Sequence, residues 1–187
     1  YNLRGSPMLL TGSEPDCPKF AERHDWADNW NRDSQGNPQE AVTLFATPSP
    51  ITIPDIGGSG TLTQVTYPDQ TYTKFYFGST ATSPGWQNGL ALLTEGYDVS
   101  GPRQRWAITT WTQDDTNVSY PLNPRVTETN VYDPSNRART RIDYATFNPP
   151  DQTSCRYPTD VYEYGGSNAS TVLRRTHTDY NMTDTYT

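Results

Sequence analysis

The stretch Gly60–Phe77, GTLTQVTYPDQTYTKFYF, decides the fold. Leu62, Val65 and Tyr67 precede the turn Pro68-Asp69, and Tyr72, Phe75 and Phe77 follow it. β-Branched and aromatic residues on both sides of a Pro-Asp turn read as two short antiparallel strands. The unit returns at intervals of roughly 30 to 35 residues, and fixed-period self-similarity of this kind marks a repeat architecture. A second copy runs from Gly89 through Tyr97-Asp98 to Trp111, a third from Arg125 through Tyr132-Asp133 to Tyr144, and a fourth from Asp160 through Tyr164-Gly165 to Tyr180. One hairpin cannot bury its apolar side alone, so the copies must stack. The sequence therefore predicts an all-β chain of repeated antiparallel hairpins in a continuous twisted sheet or solenoid-like array.

The turn residues Tyr67 and Asp69, Tyr97 and Asp98, and Tyr132 and Asp133 carry a further likeness. Tyr97-Asp98-Val99-Ser100-Gly101 and Tyr132-Asp133-Pro134-Ser135-Asn136 resemble the Tyr-Asp-x-x-Gly/Asn turn of the YD-repeat, or RHS, family, over roughly residues 60–180. Tyr67-Pro68-Asp69-Gln70-Thr71 resembles that family's Tyr-Pro-Asp-Gly-Thr variant, with Gln70 where the family usually has Gly. The resemblance implies a scaffold rather than a catalyst, on a secreted or surface-exported chain whose repeats wind into a β-sheet shell or spiral.

Outside the array the pattern changes. Residues 1–59 read as an irregular N-terminal segment with one strand, near 39–47, that packs on or extends the array of residues 60–187. Asp16 and Pro18 predict a short helical turn around Phe20 to His24. The spaced prolines of 48–60 exclude a central strand there.

Composition narrows the classes. The chain of 187 residues is 32% hydrophobic but 12% aromatic, with thirteen Tyr, and its net charge is −7. Disordered chains are poor in aromatic and β-branched residues, so this balance predicts an ordered protein with a thin aromatic core. The acidic balance argues against nucleic acid, which needs clustered Lys and Arg. No apolar run is long enough to span a membrane. Arg137, Arg139 and Arg141, spaced by two, predict one basic strand face, solvated or between subunits.

Chemical motifs are sparse. Cys17 and Cys155 leave two readings open: one disulfide closing a long loop, which loop-closure entropy values at roughly 4 to 5 kcal/mol, or two separate thiols. Neither reading makes a metal site, and no cofactor is expected. Only His24 and His177 offer an imidazole base, and both read as structural. Glu95, Glu128, Asp143 and Glu163 show no spacing that singles out a catalytic pair. Asp114-Asp115-Thr116-Asn117 reads as a solvated turn and not a calcium loop. Asn117, Asn168 and Asn181 are sequons for glycan attachment. Trp106 and Trp111 have opposite strand parity and are expected on opposite faces, and Tyr67, Tyr72, Phe75 and Phe77 are expected to form one aromatic ladder.

The expectation is an extracellular or cell-surface, non-catalytic structural protein. Its partners would be copies of itself or flanking repeats, joined through open sheet edges to build a fibre or shell. A fragment of a large toxin-encapsulating RHS shell and a carbohydrate-binding module with exposed aromatics are the alternatives.

Overall fold

The structure, a computed structural model, describes residues 2–4, 19–25, 32–37, 39–79, 85–99, 101–147, 155–166 and 168–180. It is all-β. Twelve strands occur among these residues: β1 (Asn2–Arg4), β2 (Lys19–Asp25), β3 (Ala41–Phe45), β4 (Ser49–Thr52), β5 (Ser59–Thr66), β6 (Tyr72–Gly78), β7 (Ala91–Tyr97), β8 (Arg103–Thr112), β9 (Arg125–Tyr132), β10 (Arg137–Phe147), β11 (Cys155–Gly165) and β12 (Thr171–His177). A 3-10 turn, Gly85–Gln87, lies between β6 and β7. All strands join one open sheet whose order follows the chain, with only β4 set beside the path as a second neighbour of β5. Every pairing between these strands is antiparallel.

Local chemistry explains the hairpins. Asp69 accepts from the Thr71 amide and hydroxyl, and Asp133 accepts from the amides of Ser135 and Asn136. Such side-chain caps give the backbone a turn in place of continued pairing. Gln70 sits at φ 68, a conformation that glycine adopts without strain. The backbone at Gln70 is thus one that favours Gly.

The first 59 residues differ from expectation in two ways. They hold four complete strands instead of one, and the helical turn predicted around Phe20 to His24 is strand β2. Pairing to β3, at Glu22↔Leu44 through Asp25↔Ala41, overrides the local capping signal. β4 contains Pro50 and meets only β5, where a missing amide donor is tolerated.

The core is small. Ile53, Tyr76, Leu92 and Leu93 form it, with Ile51, Leu62, Trp106, Ile108 and Trp111 packed against them. Ile53, in the loop after β4, folds onto the sheet so closely that a Cβ at Gly60 would lie 2.6 Å from its side chain. Trp106 and Trp111 both pack against this cluster, which includes the consecutive β7 residues Leu92 and Leu93. The β8–β9 register shift skips Thr127 on β9, so β8 alternates without interruption and the opposite parity of the two tryptophans stands. Five register shifts fall directly before an aromatic residue: Phe77, Tyr97, Trp111, Tyr144 and Tyr164. In each case the extra residue lies on the partner strand, at Leu92, Gln104, Thr127, Thr159 and Leu173, so that two residues face one large ring.

Candidate functional site

Register places side chains on two unlike faces. One face carries the row Gln64–Lys74–Glu95–Trp106–Tyr132–Arg137 across six strands. A parallel row on the same face runs Glu128–Arg141–Tyr162–Arg175 across four. Rings and cations alternate along this face. Tyr72 stacks on Tyr97 at 4.7 Å and Trp106 on Tyr132 at 5.1 Å, both within 8° of parallel. The Arg103 guanidinium lies 3.8 Å from the Trp106 ring centre, and Arg139 lies 3.8 Å from that of Tyr164. Arg141 and Arg175 both approach the ring of Tyr162, at 5.7 and 5.6 Å. Arg139 and Arg141 thus share this face with Arg137, as the spacing by two predicts.

Glu95 anchors the centre. It is 2% exposed and accepts hydrogen bonds from the hydroxyls of Tyr76 (2.7 Å) and Tyr97 (2.9 Å) and from Arg103 (2.6 Å). Burial pushes its carboxyl up, but these three donors and the Arg103 charge outweigh that and leave it below the ordinary carboxylate range. Burial beside the same carboxylate raises both tyrosines, Tyr97 to about 12. Arg103 also reaches Asp55 at 2.5 Å, tying the loop after β4 to β8. Nothing in the sequence marked Glu95 out from Glu128, Asp143 or Glu163, because its partners come from three other positions in the register.

The opposite face carries a single charge over β5–β10, Arg105, and its Thr140 row leads on to Glu163 and Arg174 of β11 and β12. Its rows are Val65–Thr73–Gly96–Arg105, Thr63–Phe75–Thr94–Ala107–Val131–Ala138 and Thr109–Thr129–Thr140. The expected ladder of Tyr67, Tyr72, Phe75 and Phe77 is split accordingly: Phe75 and Phe77 pair on this face, whereas Tyr72 lies on the charged one. Tyr67 lies beyond β5 and is 38% exposed.

The far edge, β12, is exposed at all seven positions, including Val172 (49%) and Leu173 (71%). No strand among the described residues pairs with its outer side. Its charges are matched inward: Arg174 pairs with Glu163, and Arg175 and His177 both reach Asp160 at 2.8 Å.

The remaining predicted residues are scattered. The Tyr97-Asp98 and Tyr132-Asp133 turns follow β7 and β9 directly, and their tyrosines are the two stacked rings above. Asn117 and Asn168 are exposed in loops, while Asn181 lies outside the described residues. Cys155 opens β11 opposite Phe147, and Cys17 lies outside the described residues. Asp114 belongs to an ion-pair cluster with Arg125 and Arg156, and Asp115 accepts from the Asn117 amide in a compact turn. Gln113, which the sequence did not flag, is 2% exposed; it donates to the Asp115 carbonyl and accepts from the Leu122 amide, closing that loop from within. No group of His, Cys, Asp and Glu able to hold a metal occurs among the described residues. No helix among the described residues is long and apolar enough to cross a membrane.

The fold is an open, single-layer antiparallel sheet with chemically distinct faces. No protein-family model matches the chain, and no curated protein or solved structure matches it.

Proposed function

We propose that the chain is a non-catalytic structural element of an extracellular β-rich fibre or shell, extended by strand addition at the sheet edge. The observation that carries this reading is β12, a seven-residue edge strand exposed throughout, with Val172 and Leu173 uncovered. An unpaired row of backbone donors and acceptors templates pairing with another strand. Edge charges usually oppose that, but Arg174 and Arg175 are paired with Glu163 and Asp160 within the hairpin. Strand order that follows chain order also lets further hairpins join without a crossover. The likeness to YD repeats supports the same reading, including its version as part of a large shell.

A sugar-binding role draws less support. Sugar rings stack on free aromatic faces, whereas Trp106 is held between Arg103 and Tyr132, and Trp86 is 3% exposed. Negative-stain electron microscopy of the native chain tests the proposal. Regular filaments that disappear in the double variant Val172→Lys/Leu173→Lys, with the far-ultraviolet spectrum retained, support it. Dispersed particles in the unaltered chain overturn it.

A further inference from the structure

We infer that the neutral face of β5–β10 is a second assembly surface, and that its occupant is the same face of another copy, packed sheet on sheet. The row Thr63–Phe75–Thr94–Ala107–Val131–Ala138 crosses six strands without a charge. The adjoining Thr109–Thr129–Thr140 row is flat and uniform. Over the same strands the other face holds Lys74, Glu95, Arg103, Glu128, Arg137 and Arg139. Charge is therefore partitioned by face and not merely diluted along the chain.

Most of the core lies on the charged side, where Leu62, Tyr76, Leu93 and Ile108 form a paired row under Ile53, while Leu92 and Trp111 share the parity of the neutral rows. Substantial contacts between elements are otherwise those of sheet neighbours and of β6 with the 3-10 turn, so no other strand or helix among the described residues is layered on the neutral face. β-Sheet domains ordinarily bury such a face against another layer. Each copy carries a net charge of −7, so two copies repel on most approaches. Within β5–β10 these rows present no carboxylate and one cation, Arg105, which stands at the rim within the field of Asp133; on β11 and β12 the Thr140 row continues to Glu163 and Arg174, which pair with each other. This is the face on which two acidic copies can meet without opposing charges.

Strand spacing of about 4.8 Å across six strands and about 20 Å of strand length give roughly 600 Å² per copy, or about 1,200 Å² in all, at the lower end for a specific pair. The contact is then weak for isolated chains and gains strength when many copies are aligned along a fibre. It is independent of edge addition, which uses β12 and not these rows.

Sedimentation velocity over a concentration series tests the pairing, with the full chain carrying Val172→Lys/Leu173→Lys so that edge growth does not obscure it. The expected result is a reversible dimer. Adding Thr129→Lys should raise the concentration at its midpoint at least tenfold, whereas Arg141→Gln on the opposite face should leave it unchanged. Should Thr129→Lys lose its folded circular-dichroism spectrum, Thr63→Lys near the rim of the same face replaces it. A monomer at every concentration overturns the inference, as does a dimer insensitive to the folded neutral-face variant. A monomer that instead adsorbs to crystalline polysaccharide would assign the face a different occupant and equally overturn it.

Discussion

Strands β5–β8 and strands β10–β12 have the same hairpin geometry but are held by different forces. In β5–β8 the loop after β4 lays Ile53 over Tyr76 and Leu93, and Arg103 pins that loop through Asp55. Beyond β9, the one buried apolar residue among those described is Ala169, in the turn before β12. Cohesion there comes from Arg139 on Tyr164, Arg141 and Arg175 on Tyr162, and the pairs of Asp160 and Glu163 with β12. Each such contact is worth a fraction of a kcal/mol to about 1 kcal/mol. Hydrophobic closure makes the first region self-sufficient; the second depends on many weak contacts and on whatever joins its edge.

The comparison breaks most sharply at Leu93, which is 1% exposed. Leu93→Ala should cost about 3 kcal/mol through lost burial and the cavity left behind, read as a shift in the chemical-denaturation midpoint. A loss under 1 kcal/mol would mean that the covered half has no real core. Glu95→Gln should cost about 2 kcal/mol near neutrality, because bonds to a charged acceptor are lost in a dry setting. The folded carboxyl lies below its unfolded value, so its stabilisation is present above the ordinary glutamate range near pH 4.3 and fades as pH falls through the folded value. The gap between native and Glu95→Gln proteins should therefore narrow on acidification; a gap independent of pH would assign the effect to packing.

The hairpin repeat and the strand class were legible because alternation and turn chemistry are local. Asp69 and Asp133 sit in turns and cap them as their residue types demand. β2 was misread because Asp16 and Pro18 signal a helix locally, while pairing with β3 is a long-range effect. The opposite parity of Trp106 and Trp111 was legible from alternation alone, whereas the bulge at Thr127 opposite Trp111 was not, because nothing in composition announces a bulge. Arg137, Arg139 and Arg141 exposed one strand's sidedness, but its extension over six strands needs the register. Glu95 was one carboxylate among many until Tyr76, Tyr97 and Arg103 were brought around it.

A smaller effect sharpens the comparison within the covered half. Gln70 closes the β5–β6 turn, donating its amide to the Tyr67 carbonyl, at a positive φ that costs a non-glycine residue about 1 kcal/mol or more. Gln70→Gly relieves that strain while adding freedom to the unfolded chain. The net stabilisation should be about 0.5 kcal/mol, measured as a small rise in denaturation midpoint. A loss would show that the Gln70 side chain, which reaches the Pro68 carbonyl, contributes more than the strain costs.

The smallest effect belongs to the bare half and is sensed by His177. Asp160 and Asp179 flank its ring, at 2.8 and 3.0 Å, and their hydrogen bonds and charges raise its proton affinity above that of an ordinary histidine. A group raised in the folded state stabilises fully below its unfolded value near 6.5, and that contribution is lost as pH rises through the folded value. Raising the pH from 6 to 8 should therefore speed amide exchange in β12 and its pairing with β11 relative to β7–β8, after correction for intrinsic rates. His177→Gln should abolish the difference. If the β12 amides keep their protection across this range, the edge is held by Arg174 and Arg175 alone, and proton uptake at His177 has no part in presenting the strand to a neighbour.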